Sequence, residues 1–143
     1  MLEFDSDRKR MSVIVKNPRG DIRVVTKGAE VTLLPKCQDN TKTSVLQTTL
    51  QHINQFAGEG LRTLAVAVKP LTLEDYQEFA QSFAMASQSL QDRELKIRAI
   101  YEKMEDNLEL VGAIGVEDKL QDGVKETLVA LGQAGIKVPH KKN

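Results

Sequence analysis

Met11-Ser12-Val13-Ile14-Val15-Lys16-Asn17-Pro18-Arg19-Gly20-Asp21-Ile22-Arg23-Val24-Val25-Thr26-Lys27-Gly28-Ala29 reads as two strands and the turn that joins them. Met11, Val13 and Val15 alternate with Ser12 and Lys16, the period of an extended chain with one apolar face. Asn17-Pro18-Arg19-Gly20 is a turn, because Pro18 presets its own φ and Gly20 relieves the exit. Residues 22–26 then return as the partner strand, which makes a hairpin. A hairpin is antiparallel by construction, so the front of the chain is hairpin-led.

Working outward, residues 29–37 predict a short helix interrupted by Pro35, and Lys27-Gly28-Ala29 closes the strand before it. Leu46, Leu50, Ile53 and Ala57 are spaced four, three and four apart, the stripe of an amphipathic helix, with Gly58 and Gly60 as its stop. Leu64, Val66 and Val68 alternate with Ala65 and Ala67, predicting a third strand buried on both faces. Thr72 and Asp75 have capping-box spacing ahead of a helix striped by Leu73, Tyr76, Phe79 or Ala80, and Phe83. A further helix after Ser87 carries Leu90, Ile97, Tyr101 and Met104. Residues 108–116 read as a fourth strand, Val124, Leu128 and Leu131 as a helix ended by Gly135, and residues 136–138 as a fifth strand. Strand, helix, strand over that length predicts a parallel βαβ unit, with a domain boundary near Asn107. The expected fold is therefore α+β: an antiparallel sheet covered by helices, followed by a C-terminal βαβ piece. There is no internal repeat and no low-complexity tract.

Composition narrows the partners. At 143 residues the chain is long enough for one real core. Twenty basic residues balance twenty acidic ones, so no global field favours nucleic acid or an anionic membrane surface. With four Phe, two Tyr and no Trp, a stacking platform for single strands is not expected. The lone Cys37 has no internal disulfide partner and suits a reducing compartment. No apolar run approaches the ~20 residues that cross a bilayer, and Met1 is soon followed by charged residues rather than a signal peptide.

Taken singly, the candidate functional residues have bland readings beside the sharp ones. Phe4 reads either as a core ring at a strand end followed by a solvated charge run, Arg8-Lys9-Arg10, or as a ring that stacks a purine while Lys9 reaches phosphates. Lys27-Gly28-Ala29 lacks the glycine loop and the Ser or Thr of a Walker motif. It reads either as a strand end at a Gly turn or as a slot where the bare Gly28 lets a planar ring approach the backbone beside Lys27. Arg62 is either a structural ion-pair partner or a fork onto phosphate or ribose oxygens. Asp118 and Asp122 flank a strand-to-helix turn, where an N-cap and a first-turn acid compete with a metal or acid/base pair. His52, His140 and Cys37 lack zinc-ligand spacing, and no Ser/His/Asp order stands out.

The order of the strings is more specific than any one of them. Leu2-Glu3-Phe4 through Met11-Ser12-Val13, then Lys27-Gly28-Ala29, Gly60-Leu61-Arg62, Val116-Glu117-Asp118 and Ala134-Gly135-Ile136-Lys137-Val138 resembles the P-type ATPases. Asp7-Arg8-Lys9-Arg10-Met11-Ser12-Val13-Ile14-Val15, Leu90-Gln91-Asp92-Arg93-Glu94 and Glu117-Asp118-Lys119-Leu120-Gln121 resemble the phospholipid-transporting (type IV, flippase) branch. The resemblance implies a partial nucleotide-binding domain over residues 1–107, the hinge and first βαβ unit of a phosphorylation domain over 108–138, and a non-family tail at 139–143. It implies that Phe4 stacks on adenine, Lys9 sits by the phosphates, Lys27 lines the adenine pocket, Arg62 contacts phosphates or ribose, and Asp118 belongs to the hinge. The phosphorylated-aspartate motif Asp-Lys-Thr-Gly-Thr and the magnesium-binding Gly-Asp-Gly segment are absent. The implied function is thus an ATP-binding cytosolic fragment that presents nucleotide to a phosphorylation domain. It has no catalytic or metal-ligating residue of its own and is inactive alone, with Mg2+ entering only in the full-length parent. The implied partners are ATP and the rest of the parent ATPase. No nucleic acid, no direct membrane contact and a monomeric state are expected. The competing expectation is a truncated or spliced protein-interaction module that binds no nucleotide.

Overall fold

The computed structural model describes residues 1–38, 43–117, 119 and 121–138, residue 43 by its backbone alone. Five strands lie in chain order in one antiparallel sheet: β1 (Leu2–Asp5), β2 (Arg10–Lys16), β3 (Ile22–Gly28), β4 (Arg62–Leu71) and β5 (Glu109–Val116). The β2–β3 turn forms as its residues expect. Asn17 Oδ1 accepts the Asp21 N–H at 2.9 Å, the Gly20 N–H donates to the Asn17 carbonyl at 3.0 Å, and Gly20 takes φ +95°.

Helices cover one face of this sheet. A short helix α1 (Glu30–Leu33), a 3-10 turn (Leu34–Lys36) and α2 (Thr43–Gly58) lie over β4 and β5. There Leu33, Ala65, Ala67, Leu108 and Leu110 form one apolar cluster, with Val45 and Leu46 packed against it. The small Ala65 and Ala67 let the helices sit close to β4. Helices α3 (Leu73–Ser87) and α4 (Arg93–Met104) lie over the other end of the sheet. Their cluster joins Leu2, Val24 and Met104 to Phe79 and Tyr101. The capping box closes as the spacing expects: Thr72 Oγ1 accepts the Asp75 N–H at 3.0 Å, and the Thr72 N–H donates to Asp75 Oδ2 at 3.1 Å. Helix α4 starts at Arg93, so Leu90 lies before it and is fully exposed rather than part of its stripe.

Two expectations need correction. Residues 108–116 do not open a parallel βαβ unit. Strand β5 pairs antiparallel with β4 from Arg62↔Val116 to Val68↔Glu109, so the sheet continues past Asn107. Residues 136–138 form no strand; α5 (Val124–Gln133) ends in a turn at Gly135, φ +74°, and residues 136–138 after it are irregular. The pattern misled because an apolar strand followed by a helix does not state which neighbour the strand pairs with. The second correction concerns β4. Ala65 and Ala67 are buried, but Leu64, Val66 and Val68 on its other face are only half-buried, since among the described residues no helix packs on that side.

Candidate functional site

The uncovered face follows from the register. Met11 pairs with Lys27, Lys27 with Val66, and Val66 with Gly112; Val13 pairs with Val25, and Leu64 with Ile114. Directly opposed residues point to one side of a sheet, so these side chains form one floor. The floor is apolar at its centre, and a cleft of about 280 Å³ lies on it, lined by Met11, Ser12, Val13, Val25, Lys27, Val66 and Ile114. Gly112, opposite Val66 on the same face, adds no side chain and has open space above it. Arg62 shares the parity of Val66 and lies four residues back along β4, about 13 Å at the ordinary strand rise. The two cations at positions 27 and 62 therefore belong to the same exposed face.

Phe4 is not a core ring. It is 65% exposed at the edge of β1, where the register is irregular between Leu2 and Asp5. It lines a second cavity, of about 420 Å³, with Arg8, Arg93, Glu94, Arg98 and Tyr101 among its walls. The structure thus sets Phe4 and Lys27 in two separate cavities, and neither is lined by Lys9 or Arg62. Asp118 and the tail at 139–143 lie outside the described residues.

The charge run divides in a way that spacing does not suggest. Arg8 and Arg10 are only 3% and 4% exposed, whereas Lys9 between them is exposed. Both guanidiniums converge on Glu105, which is completely buried just after α4. Glu105 Oε2 accepts from Arg8 Nη1 at 2.7 Å and from Arg10 Nε at 2.7 Å, and Oε1 accepts from Ser12 Oγ at 2.7 Å. Ser12 Oγ in turn lies 2.8 Å from Thr26 Oγ1, and Arg10 Nη2 reaches Glu102 at 2.5 Å. Arg8 also lies over the Tyr101 ring, 5.1 Å from its centre, and burial pushes the Tyr101 phenol up more than this cation lowers it. At Glu102, burial opposes ionisation, but hydrogen bonding to Lys36 and the charge of Arg10 outweigh it and hold the carboxyl below 4.5. Among the described residues every buried side-chain nitrogen and oxygen has a partner, which is what makes a polar cluster tolerable in a core.

This cluster is what the sequence reading missed. Glu105 is 97 residues from Arg8 and 95 from Arg10, so no local spacing reveals it. A signal was present in β2, where Arg10 and Ser12 occupy one parity and Met11, Val13 and Val15 the other. The apolar side faces outward and the polar side is buried.

The loop before β2 is built around Asp5 and Lys9. Asp5 Oδ1 accepts the Asp7 N–H at 2.7 Å, and this bond is the main reason its carboxyl is held below 3.8. Lys9 takes φ +52°; its N–H donates to the Asp5 carbonyl at 2.7 Å and its own carbonyl accepts the Ala29 N–H at 3.0 Å. Gly28 is needed for that approach. A Cβ there would stand 2.5 Å from Arg10 Cβ and 2.8 Å from the Lys9 carbonyl oxygen. The bare glycine accommodates the chain of residues 9 and 10, not a planar ring as the slot reading expected.

Comparison with known proteins fits this geometry to a family. Residues 1–123 match the model of the P-type ATPase cytoplasmic domain N. The chain belongs to that P-type ATPase family. Among curated P-type ATPases, it is 48% identical over 138 residues to phospholipid-transporting ATPase ID of Homo sapiens, covering 96% of this chain and 11% of that protein. It is 43% identical over 137 residues to the probable phospholipid-transporting ATPase IM of Homo sapiens, with coverage of 96% and 11%. It is 40% identical over 138 residues to phospholipid-transporting ATPase DNF1 of Chaetomium thermophilum, with coverage of 96% and 9%. The chain therefore spans about a tenth of the length of the P-type ATPases it matches. Among the described residues no helix is long and apolar enough to cross a membrane.

Proposed function

We propose that this chain is a nucleotide-binding piece of a phospholipid-translocating P-type ATPase, which seats ATP for delivery to a phosphorylation domain elsewhere in the parent. The supporting observation is the uncovered sheet face in a domain-N chain: a floor of Met11, Val13, Val25, Val66 and Ile114, with Lys27 on it and Arg62 along the same face. An apolar seat rimmed by cations suits a purine with an anionic tail. The exposed ring of Phe4 would supply a stacking surface at the sheet edge, and the exposed Lys9 a cation for the phosphates. Because Phe4 and Lys27 line separate cavities, binding by this chain alone should be weak, about 1 mM or about −4.1 kcal/mol. Among the described residues no three His, Cys, Asp or Glu side chains gather as a metal site. Mg2+ would accompany the nucleotide in the full-length parent. Asp118 would lie in the hinge that follows, with residues 108–138 leading into the phosphorylation domain.

A second reading, a protein-interaction module without nucleotide binding, draws on the exposed Met85, Leu90 and Leu95 of the α3–α4 layer. Calorimetric titration with ATP separates the two. The proposed function expects measurable heat with the chain as it stands, and loss of most of it in Phe4→Ala with the fold intact. No binding at several millimolar ATP would leave the interaction reading in its place.

A further inference from the structure

We infer that Glu105 is a positioning residue for nucleotide phosphates, acting through Arg8 and Arg10 to fix Lys9 between them. The inference rests on the nucleotide reading above. One buried carboxylate holds both neighbours of Lys9 in sequence, through Arg8 Nη1 and Arg10 Nε at 2.7 Å each. Those guanidiniums then brace the loop's own backbone. Arg8 Nη2 donates to the Glu3 carbonyl at 2.6 Å, and Arg10 Nη1 to the Arg8 carbonyl at 3.2 Å. The loop is thereby tied at both ends to the C-terminal end of α4.

Lys9 needs that bracing. Its φ of +52° is a conformation that residues with side chains rarely hold unless their surroundings over-determine it. The same conformation sends the Lys9 carbonyl to the Ala29 N–H, 3.0 Å away, so the loop is also stitched to the end of β3, next to Lys27. Three cations in a row repel one another, and two of them are buried. Glu105 is the anion shared by both buried guanidiniums, while the partly exposed Glu102 reaches only Arg10 of the two and also pairs with Lys36. Removing the charge of Glu105 without changing its size leaves Arg8 uncompensated in the core, and the loop is the element free to move in response.

Glu105→Gln in the full chain is the test, with ATP and adenosine titrated separately against wild type by amide-shift mapping. We expect the ATP Kd to rise about tenfold, a change of about 1.4 kcal/mol, while adenosine, which has no phosphates for Lys9 to meet, binds as before. The Lys9 and Ala29 amides should shift and exchange faster in the unliganded variant, and Glu105→Asp should restore part of the ATP affinity. Ile53→Val in α2 serves as the control for general destabilisation and should leave the ATP-to-adenosine ratio alone. If Glu105→Gln fails to fold, Ser12→Ala, which removes the Oε1 partner and the bond to Thr26 but leaves both arginine contacts, is expected to move the ratio in the same direction by less. Unchanged ATP binding in folded Glu105→Gln, or equal losses for ATP and adenosine, would overturn the role. Failure of wild type to bind ATP would instead overturn the nucleotide reading, and this role with it.

Discussion

The two faces of β3 have opposite environments. Ile22, Val24, Thr26 and Gly28 are buried beneath the helices, whereas Arg23 and Lys27 are exposed and Val25 is half-buried on the side no helix covers. The covered face contains the two apolar clusters and, beside them, the carboxylate of Glu105 with its two arginines. The uncovered face holds a small apolar floor and exposed cations. Seven residues of one strand thus serve stability on one side and, in the proposed function, recognition on the other. The lesson is that apolar alternation marks a face that wants covering, by helix or by ligand, and does not say which.

If this division holds, changes on the covered face cost stability and changes on the uncovered face do not. The largest effect is expected for Leu108→Ala, in the fully buried cluster under α1 and α2. It should lower the unfolding free energy by about 2–5 kcal/mol in urea denaturation. A loss below 1 kcal/mol would mean that the β5 end of the sheet is not the packed core described here. Gly28→Ala should come next, at about 1–3 kcal/mol, because the new Cβ overlaps Arg10 Cβ and the Lys9 carbonyl. Acid should act more gently, through Glu102. Its folded carboxyl titrates below the ordinary 4.5, so its contribution is complete above that value. That contribution is lost as the pH falls through the lower folded value. Partial exposure keeps the effect under about 1 kcal/mol, and Glu102→Gln should flatten this part of the stability–pH curve. The smallest change in stability, within about 0.5 kcal/mol, is expected for Lys27→Ala. ATP binding should nonetheless fall with it, and a large stability loss would show that Lys27 belongs to the folding side of the comparison.

Much of the fold was legible because its signals are local. The Asn17–Asp21 turn and the Thr72–Asp75 cap each lie within a few residues and formed as read, and α2 runs to Gly58 as expected, although Leu50 and Ala57 of its stripe are exposed and Thr49 is buried beside Ile53 instead. What depends on distant pairing was not legible. Nothing in residues 108–116 states that their neighbour is β4 and antiparallel, and nothing near Arg8 announces a carboxylate 97 residues away. The candidate site divides along the same line. Phe4, Lys9, Lys27 and Arg62 were named by the order of short strings and are all exposed in the structure. Of the two readings of Gly28, the slot for a planar ring fails because the atoms above it come from the loop at Lys9 and Arg10, a strand away.

The most direct measurement is a methyl-resolved NMR titration of the full chain with ATP, since methyl groups report each face of the sheet separately. Methyls of Val25, Val66 and Ile114 on the uncovered floor should shift in a saturable way, while those of Val24, Leu33 and Leu108 beneath the helices stay in place. Shifts confined to the α3–α4 surface, or none on the floor at saturating nucleotide, would contradict the assignment of that face to recognition.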